Sequence, residues 1–191
     1  HKNAKKEDAK LEDFEMMRIV GKGTFGKVFQ VMHRKTKKIY AMKCIRKDVV
    51  LENEQMDSLK LEKEILYSIE HPFIVGMDYV FENNLRIFFL MDFIEGGEPS
   101  DIWFKLEGSQ RLGQIHDSLG CHCSWTSARK IIVYRDLKPE NVLFNRDGYL
   151  LLADFGLATK VEKNKLATSF CGTAEYLSPE MLNGEGHDHT V

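Results

Sequence analysis

An α+β fold built on an antiparallel sheet is what this sequence predicts, and three observations carry the prediction. Short β-rich runs crowd the first half of the chain, and one amphipathic helical stretch interrupts them. Further on, a second pair of apolar runs flanks Asn145-Arg146-Asp147-Gly148, whose Asp-Gly pair is a strong hairpin signal. With 191 residues, 43% of them hydrophobic and 29% charged, the chain has room for one ordinary domain or two small lobes around a buried core.

In chain order, strands are predicted at Phe14 to Val20, Lys27 to Met32 and Lys38 to Ile45, followed by a helix from about Asn53 to Ile69. Two more strands, Val75 to Phe81 and Arg86 to Phe93, bracket the turn-like cluster Glu82-Asn83-Asn84. From Pro99 to about Lys130 the pattern fails, because Gly108, Gly113 and Gly120 interrupt it and Ser124-Trp125-Thr126-Ser127 offers no helix formers, so no element is assigned. Order returns at Ile131, with strands Val142 to Phe144 and Tyr149 to Ala153 on either side of the Asp-Gly turn.

Charge and cysteine usage exclude several classes. A net charge of −2 lacks the cationic excess that nucleic acid binding needs. Cys44, Cys121, Cys123 and Cys171 make neither a disulfide framework nor a Cys-x-x-Cys pair, which fits a reducing, cytoplasmic setting. No apolar run is long enough to cross a bilayer. The chain begins with His rather than Met, so its true N-terminus is expected to lie upstream.

Gly21-Lys22-Gly23-Thr24-Phe25-Gly26 precedes the strand-like Val28-Phe29-Gln30-Val31. A dinucleotide-binding loop must instead run into a helix and meet an acidic residue about 20 positions on, where this chain has Arg46. Strand, glycine turn, strand reads as a flap over phosphates; an ordinary hairpin is the alternative. In the third strand, alternation puts Lys43 on one face with Ile39, Ala41 and Ile45, while in the helix Glu62 shares a stripe with Leu59, Leu66 and Ile69. Each charge sits where an apolar residue belongs. Pairing would make both tolerable, since an unpaired buried charge costs on the order of several kcal/mol; snorkelling to solvent is the alternative.

Tyr134-Arg135-Asp136-Leu137-Lys138-Pro139-Glu140-Asn141 packs an acid, two bases and an amide into a loop that Pro139 keeps from being helical. Such a loop is often only solvated surface. Here the Asp147-Gly148 hairpin brings Asp154-Phe155-Gly156 back beside Asn141, placing two oxygen ligands of the kind magnesium prefers side by side.

Glycine loop, Ala41-Met42-Lys43, helix glutamate, Arg-Asp-Leu-Lys-Pro-Glu-Asn and Asp-Phe-Gly, in this order, resemble the signature of eukaryotic protein kinases. Lys138 resembles the serine/threonine kinases rather than the tyrosine kinases. Tyr134, where most kinases have His, and Phe170-Cys171-Gly172-Thr173-Ala174-Glu175-Tyr176-Leu177-Ser178-Pro179-Glu180 are similar to the AGC group. The resemblance implies a two-lobed fold: an extension at 1–10, an N-lobe at 11–93 with the sheet and one helix, and at 94–191 a hinge and a mainly helical, incomplete C-lobe.

The same resemblance implies ATP and Mg2+ as cofactors and a role for each matching residue. Gly21, Lys22, Gly23, Thr24, Phe25 and Gly26 cover the phosphates, Lys43 held by Glu62 binds them, and Asn141 with Asp154 holds the metal. Asp136 accepts the proton of the substrate hydroxyl, and Lys138 neutralises charge on the transferred group. Met91, Asp92 and Ile94 form the hinge for adenine, with Val20, Val28, Ala41 and Leu143 as the apolar slot. Glu98 matches a position that favours basic substrates. Ser169 stands at the activation-loop phosphosite, where an upstream kinase would create a phosphate that pairs with Arg135; an unmodified surface serine is the alternative. The implied partners are proteins carrying serine or threonine.

The chain also departs from the family. Ala174 and Ser178 replace the commoner Pro and Ala, and Pro99 to Lys130 stands where the family has two helices. The 36 positions from Glu98 to Tyr134 (134 − 98) match the family interval, which points to a compensated frame shift that transcript sequencing would test. A zinc site from His116, Cys121, His122 and Cys123 is the alternative, although its spacing is not that of a standard finger. Because the chain stops before the family's central C-lobe helix, apolar faces open to water and instability of the isolated fragment are expected.

Overall fold

The computed structural model describes residues 9–68, 71–97, 125–127, 130–162 and 165–187. Two compact units divide the chain, His1–Asp57 with Leu66–Ile94, and Ser58–Ile65 with Glu95–Val191.

The first unit is a five-stranded antiparallel sheet. It contains β1 (Phe14–Gly23), β2 (Gly26–His33), β3 (Ile39–Arg46), β4 (Met77–Glu82) and β5 (Arg86–Asp92), in the order β1-β2-β3-β5-β4. All five strands stand where alternation predicts them. On one face Phe14, Val31, Tyr40, Met42, Cys44, Phe88 and Leu90 form the buried core. Phe14 meets Tyr40 and Tyr79 edge-on, each at 5.6 Å between ring centres, a geometry that adds to simple burial. In β3, Tyr40, Met42 and Cys44 point into this core, so the period of two turns Ala41 and Lys43 to the opposite face. The β4–β5 turn is closed by Asn83, whose carboxamide oxygen accepts from the backbone of Leu85 and Arg86.

The predicted helix is α2 (Met56–Ser68), and an unpredicted short helix, α1 (Lys47–Glu52), precedes it. Val49-Val50 carries the β-branched signal of a strand, which hides α1 from a reading by pattern. Asn53 ends α1 by donating its side-chain amide to the carbonyl of Val49 at 2.7 Å, and Glu54, at φ 55°, turns the chain into α2. Leu59, Glu62, Ile65 and Leu66 form the buried stripe of α2.

The second unit carries two small antiparallel sheets. One holds β6 (Trp125–Ser127), β7 (Lys130–Val133) and β10 (Thr159–Glu162) in the order β10-β7-β6; the other is the hairpin of β8 (Val142–Phe144) and β9 (Leu150–Leu152). Strand β6 falls in the stretch for which the sequence assigns nothing, because three residues show no period and the ladder is completed by distant β10. The helical pieces described here are short: 3-10 turns at Pro139–Asn141 and Ala174–Tyr176, and α3 (Pro179–Leu182). Most of the off-pattern stretch, with Glu98 and the zinc alternative of His116, Cys121, His122 and Cys123, lies outside the described residues.

Candidate active site

In the first unit the glycine loop is the tip of the β1–β2 hairpin. Gly21 pairs with Val28, Lys22 with Lys27 and Gly23 with Gly26, and a register shift between Ile19 and Gly21 bulges Val20 out of the ladder. Gly26 has no substitute: a Cβ there would lie 1.9 Å from the carbonyl oxygen of Cys44. Strand leads to strand through Thr24 and Phe25, as the sequence predicts, so the loop is the turn of a hairpin. Lys43 is half-buried in mid-sheet, paired in register with Val28 on one side and Phe89 on the other. Ala41 and Met91 pair across β3 and β5, and the last rung is Tyr40 with Asp92. Phe93 and Ile94 follow beyond the strand.

In the second unit Glu62 is only 2% exposed, so it does not snorkel. The Tyr134 hydroxyl donates to the carbonyl of Ala153, and its ring stands edge-on to Phe155 at 5.0 Å. Arg135 adopts φ 65° and donates Nε to the carbonyl of Leu157 at 2.9 Å, while its Nη1 is buried without a hydrogen-bond partner among the described residues. Burial lowers the Arg135 pKa, opposed by the nearby Cys171; burial raises that of Cys171, with Arg135 opposing and Asp136 adding.

Asp136 is the hub. It is 8% exposed and takes three donors: Asn141 Nδ2 on Oδ2 at 2.8 Å, Thr173 Oγ1 on Oδ1 at 3.1 Å, and Lys138 Nζ on Oδ2 at 3.1 Å. Lys138 Nζ also donates to Thr173 Oγ1 at 3.0 Å, closing a ring of acid, base and hydroxyl. Pro139 opens the 3-10 turn that carries Asn141, where its missing N–H costs nothing. Asn141 spends its Nδ2 on Asp136, both carboxylate and backbone oxygen, which leaves its Oδ1 as the group suited to a hard cation.

The β8–β9 hairpin then returns the chain to this point. Val142 pairs with Leu152, and the backbone N–H of Ala153 donates to the carbonyl of Asn141 at 2.9 Å. Asp154 comes next, solvent-exposed at φ 55°, its Oδ1 accepting from the Gly156 N–H at 3.2 Å. The oxygen donors of Asn141 and Asp154 fit a magnesium ion in type. Leu143 sits half-buried within β8. A cleft beside Asp136 is lined by Leu137, Thr173, Tyr176, Leu177, Ser178 and Met181. Ser169 is exposed, two residues after Ala167, which bridges to His187 through two backbone hydrogen bonds. Sequence reasoning missed Thr173 and the Tyr134 hydroxyl as contributors; each lay inside a quoted motif without a role.

A loop acid fixed by an amide, a lysine and a hydroxyl, followed by a hairpin and an exposed aspartate, is the arrangement of a protein kinase. The model of the protein kinase domain family matches residues 14–191, and the chain belongs to that family. Its relatives are serine/threonine kinases. It is 43% identical over 182 residues to the serine/threonine-protein kinase AtPK1/AtPK6 of Arabidopsis thaliana, covering 93% of this chain and 38% of that protein. It is 42% identical to protein kinase 2 of Dictyostelium discoideum (97% and 39%) and 37% identical to serine/threonine-protein kinase Sgk1 of Danio rerio (96% and 43%). The chain thus spans about two fifths of the length of these relatives. ATP and magnesium are the family's general cofactors. No helix among the described residues is long and apolar enough to cross a membrane.

Proposed function

We propose that this chain transfers the γ-phosphoryl group of ATP to serine or threonine hydroxyls of protein substrates at basic motifs. The observation that carries the reading is Asp136, buried, ionisable and held by Asn141, Lys138 and Thr173 so that its carboxylate has one orientation. In this role Asp136 orients the acceptor hydroxyl and takes its proton as the oxygen attacks the γ-phosphorus. Lys138 offsets the negative charge developing on the transferred group. Backbone amides of Gly21 to Gly26 cover the phosphates, and Lys43, fixed by Glu62, binds their oxygens. Asn141 and Asp154 hold magnesium, which supplies charge neutralisation along the triphosphate. Met91, Asp92 and Ile94 take the adenine edge, with Val20, Val28, Ala41 and Leu143 as its apolar slot; Glu98 selects basic residues in the substrate.

Ser169 is the regulatory phosphosite, modified by an upstream kinase. Its exposure supports this, as does the buried Arg135 Nη1, a donor that a phosphate would satisfy. The setting is cytoplasmic, where Cys44 and Cys171 remain the free thiols they are here. The test is phosphate transfer from labelled ATP to a basic serine peptide, with Asp136→Asn beside it. Transfer lost in the variant while ATP still binds is the expected result. Equal transfer by both forms would remove Asp136 from the mechanism.

A further inference from the structure

Lys38, just before β3, reaches two carboxylates on two other strands. Its Nζ lies 3.0 Å from Asp78 Oδ2 in β4 and 2.9 Å from Asp92 Oδ1 at the end of β5, and it stands 4.7 Å over the ring of Tyr40. Asp78 is buried, at the point where the β4–β5 register shifts between Met77 and Tyr79. One ammonium therefore ties three strands together beside a bulge. Burial works to lower the Lys38 pKa, but the hydrogen bonds and charges of Asp92 and Asp78 outweigh it and hold the pKa above the ordinary lysine value. The Tyr40 hydroxyl is pushed up to about 12, by burial first; Lys38 opposes this, while Asp78 and Tyr79 add to it.

The place of the clamp matters more than its strength. An ion pair to a half-exposed lysine is worth little by itself. Asp92, however, forms the last rung of the β3–β5 ladder, opposite Tyr40, and its backbone N–H donates to the carbonyl of Gly76 at 2.9 Å. Beyond it the chain leaves the sheet. Side chain and backbone of Asp92 are thus both held where the chain passes from β5 into Phe93 and Ile94.

We propose that Lys38 is a positioning residue for the nucleotide base: by clamping Asp92 to Asp78 it fixes the backbone of Met91 to Ile94 that reads adenine. This rests on the reading of that segment as the adenine site. Base recognition there depends on donor and acceptor placement within a few tenths of an ångström, whereas the triphosphate is held by other residues. Losing the clamp therefore weakens discrimination between bases more than it weakens phosphate binding.

The experiment compares ATP and GTP binding and turnover in the intact protein carrying Lys38, Lys38→Met or Lys38→Arg. In Lys38→Met the preference for ATP over GTP is expected to fall about fivefold, the worth of roughly one misplaced hydrogen bond, through KM for ATP rather than kcat. Lys38→Arg, which keeps the cation, restores most of the preference. If Lys38→Met lowers only the melting temperature and leaves base preference intact, Lys38 is a strand tie and the inference fails while the kinase reading stands. If the unsubstituted protein binds neither nucleotide, the adenine site falls and the inference falls with it.

Discussion

Thr173 donates a hydrogen bond to Asp136 and accepts one from Lys138, so a single hydroxyl sets the spacing between acid and base. Thr173→Val keeps the shape and removes both contacts. The expected result is a fall in kcat of about tenfold, with a stability loss of about 1 kcal/mol, read by single-turnover transfer and by thermal melting. A Thr173→Val protein with undiminished turnover would mean the ring of contacts is structural only. Gly26→Ala is the steric counterpart, since the new methyl meets the backbone oxygen of Cys44 at 1.9 Å. A destabilisation of about 2 kcal/mol or more, from forced movement of β2 against β3, should appear in denaturant melts. At this scale the sequence was informative about Asp136, Asn141 and Asp154, whose residue types announce their chemistry. It was silent on Thr173, because a threonine in a polar loop has many innocent uses.

Among the elements, those governed by local signals were legible. Five strands of the first unit and the β8–β9 hairpin follow from alternation and from turn residues within a few positions of one another. Elements fixed by distant partners were not: α1 looks like the continuation of a strand, and β6 gains its identity only from pairing with β7, itself paired to β10. The β8–β9 turn offers a direct check. Asn145 Oδ1 accepts from the N–H groups of Asp147 and Tyr149 at 2.9 and 2.8 Å, and Gly148 sits at φ 83°. Asn145→Ala and Gly148→Ala should each cost about 1 kcal/mol, one through lost hydrogen bonds and the other through backbone strain. Urea melts of the two variants, with the double variant as control for coupling, measure both.

Across the whole molecule, the Lys38 cluster gives stability a predictable pH dependence. A lysine whose pKa is higher folded than unfolded contributes fully below its unfolded value, and the contribution disappears as pH rises through the folded value. The stability difference between the parent and Lys38→Met should therefore stay level from about pH 6 to 9 and shrink only above about pH 10.4, the ordinary lysine value. A difference that collapses near neutrality would place its origin in another group. The expectation of two lobes, at 11–93 and 94–191, comes from family resemblance and not from composition, which leaves a single domain equally open.

The β8–β9 hairpin also works as a ruler. Because Val142 faces Leu152 and Phe144 faces Leu150, the five positions from Asn145 to Tyr149 decide that Ala153 lands on the carbonyl of Asn141 and that Asp154 follows. Adding or deleting one residue there would slide the return strand by one step, turning its side chains to the opposite face and carrying the aspartate away from the amide. Substitution at this turn is tolerable wherever the positive φ of Gly148 is kept, but a change of length is not. In a library of single-residue insertions across the domain, this short span should tolerate none that preserve activity, although it lies at the surface, where insertions are ordinarily harmless.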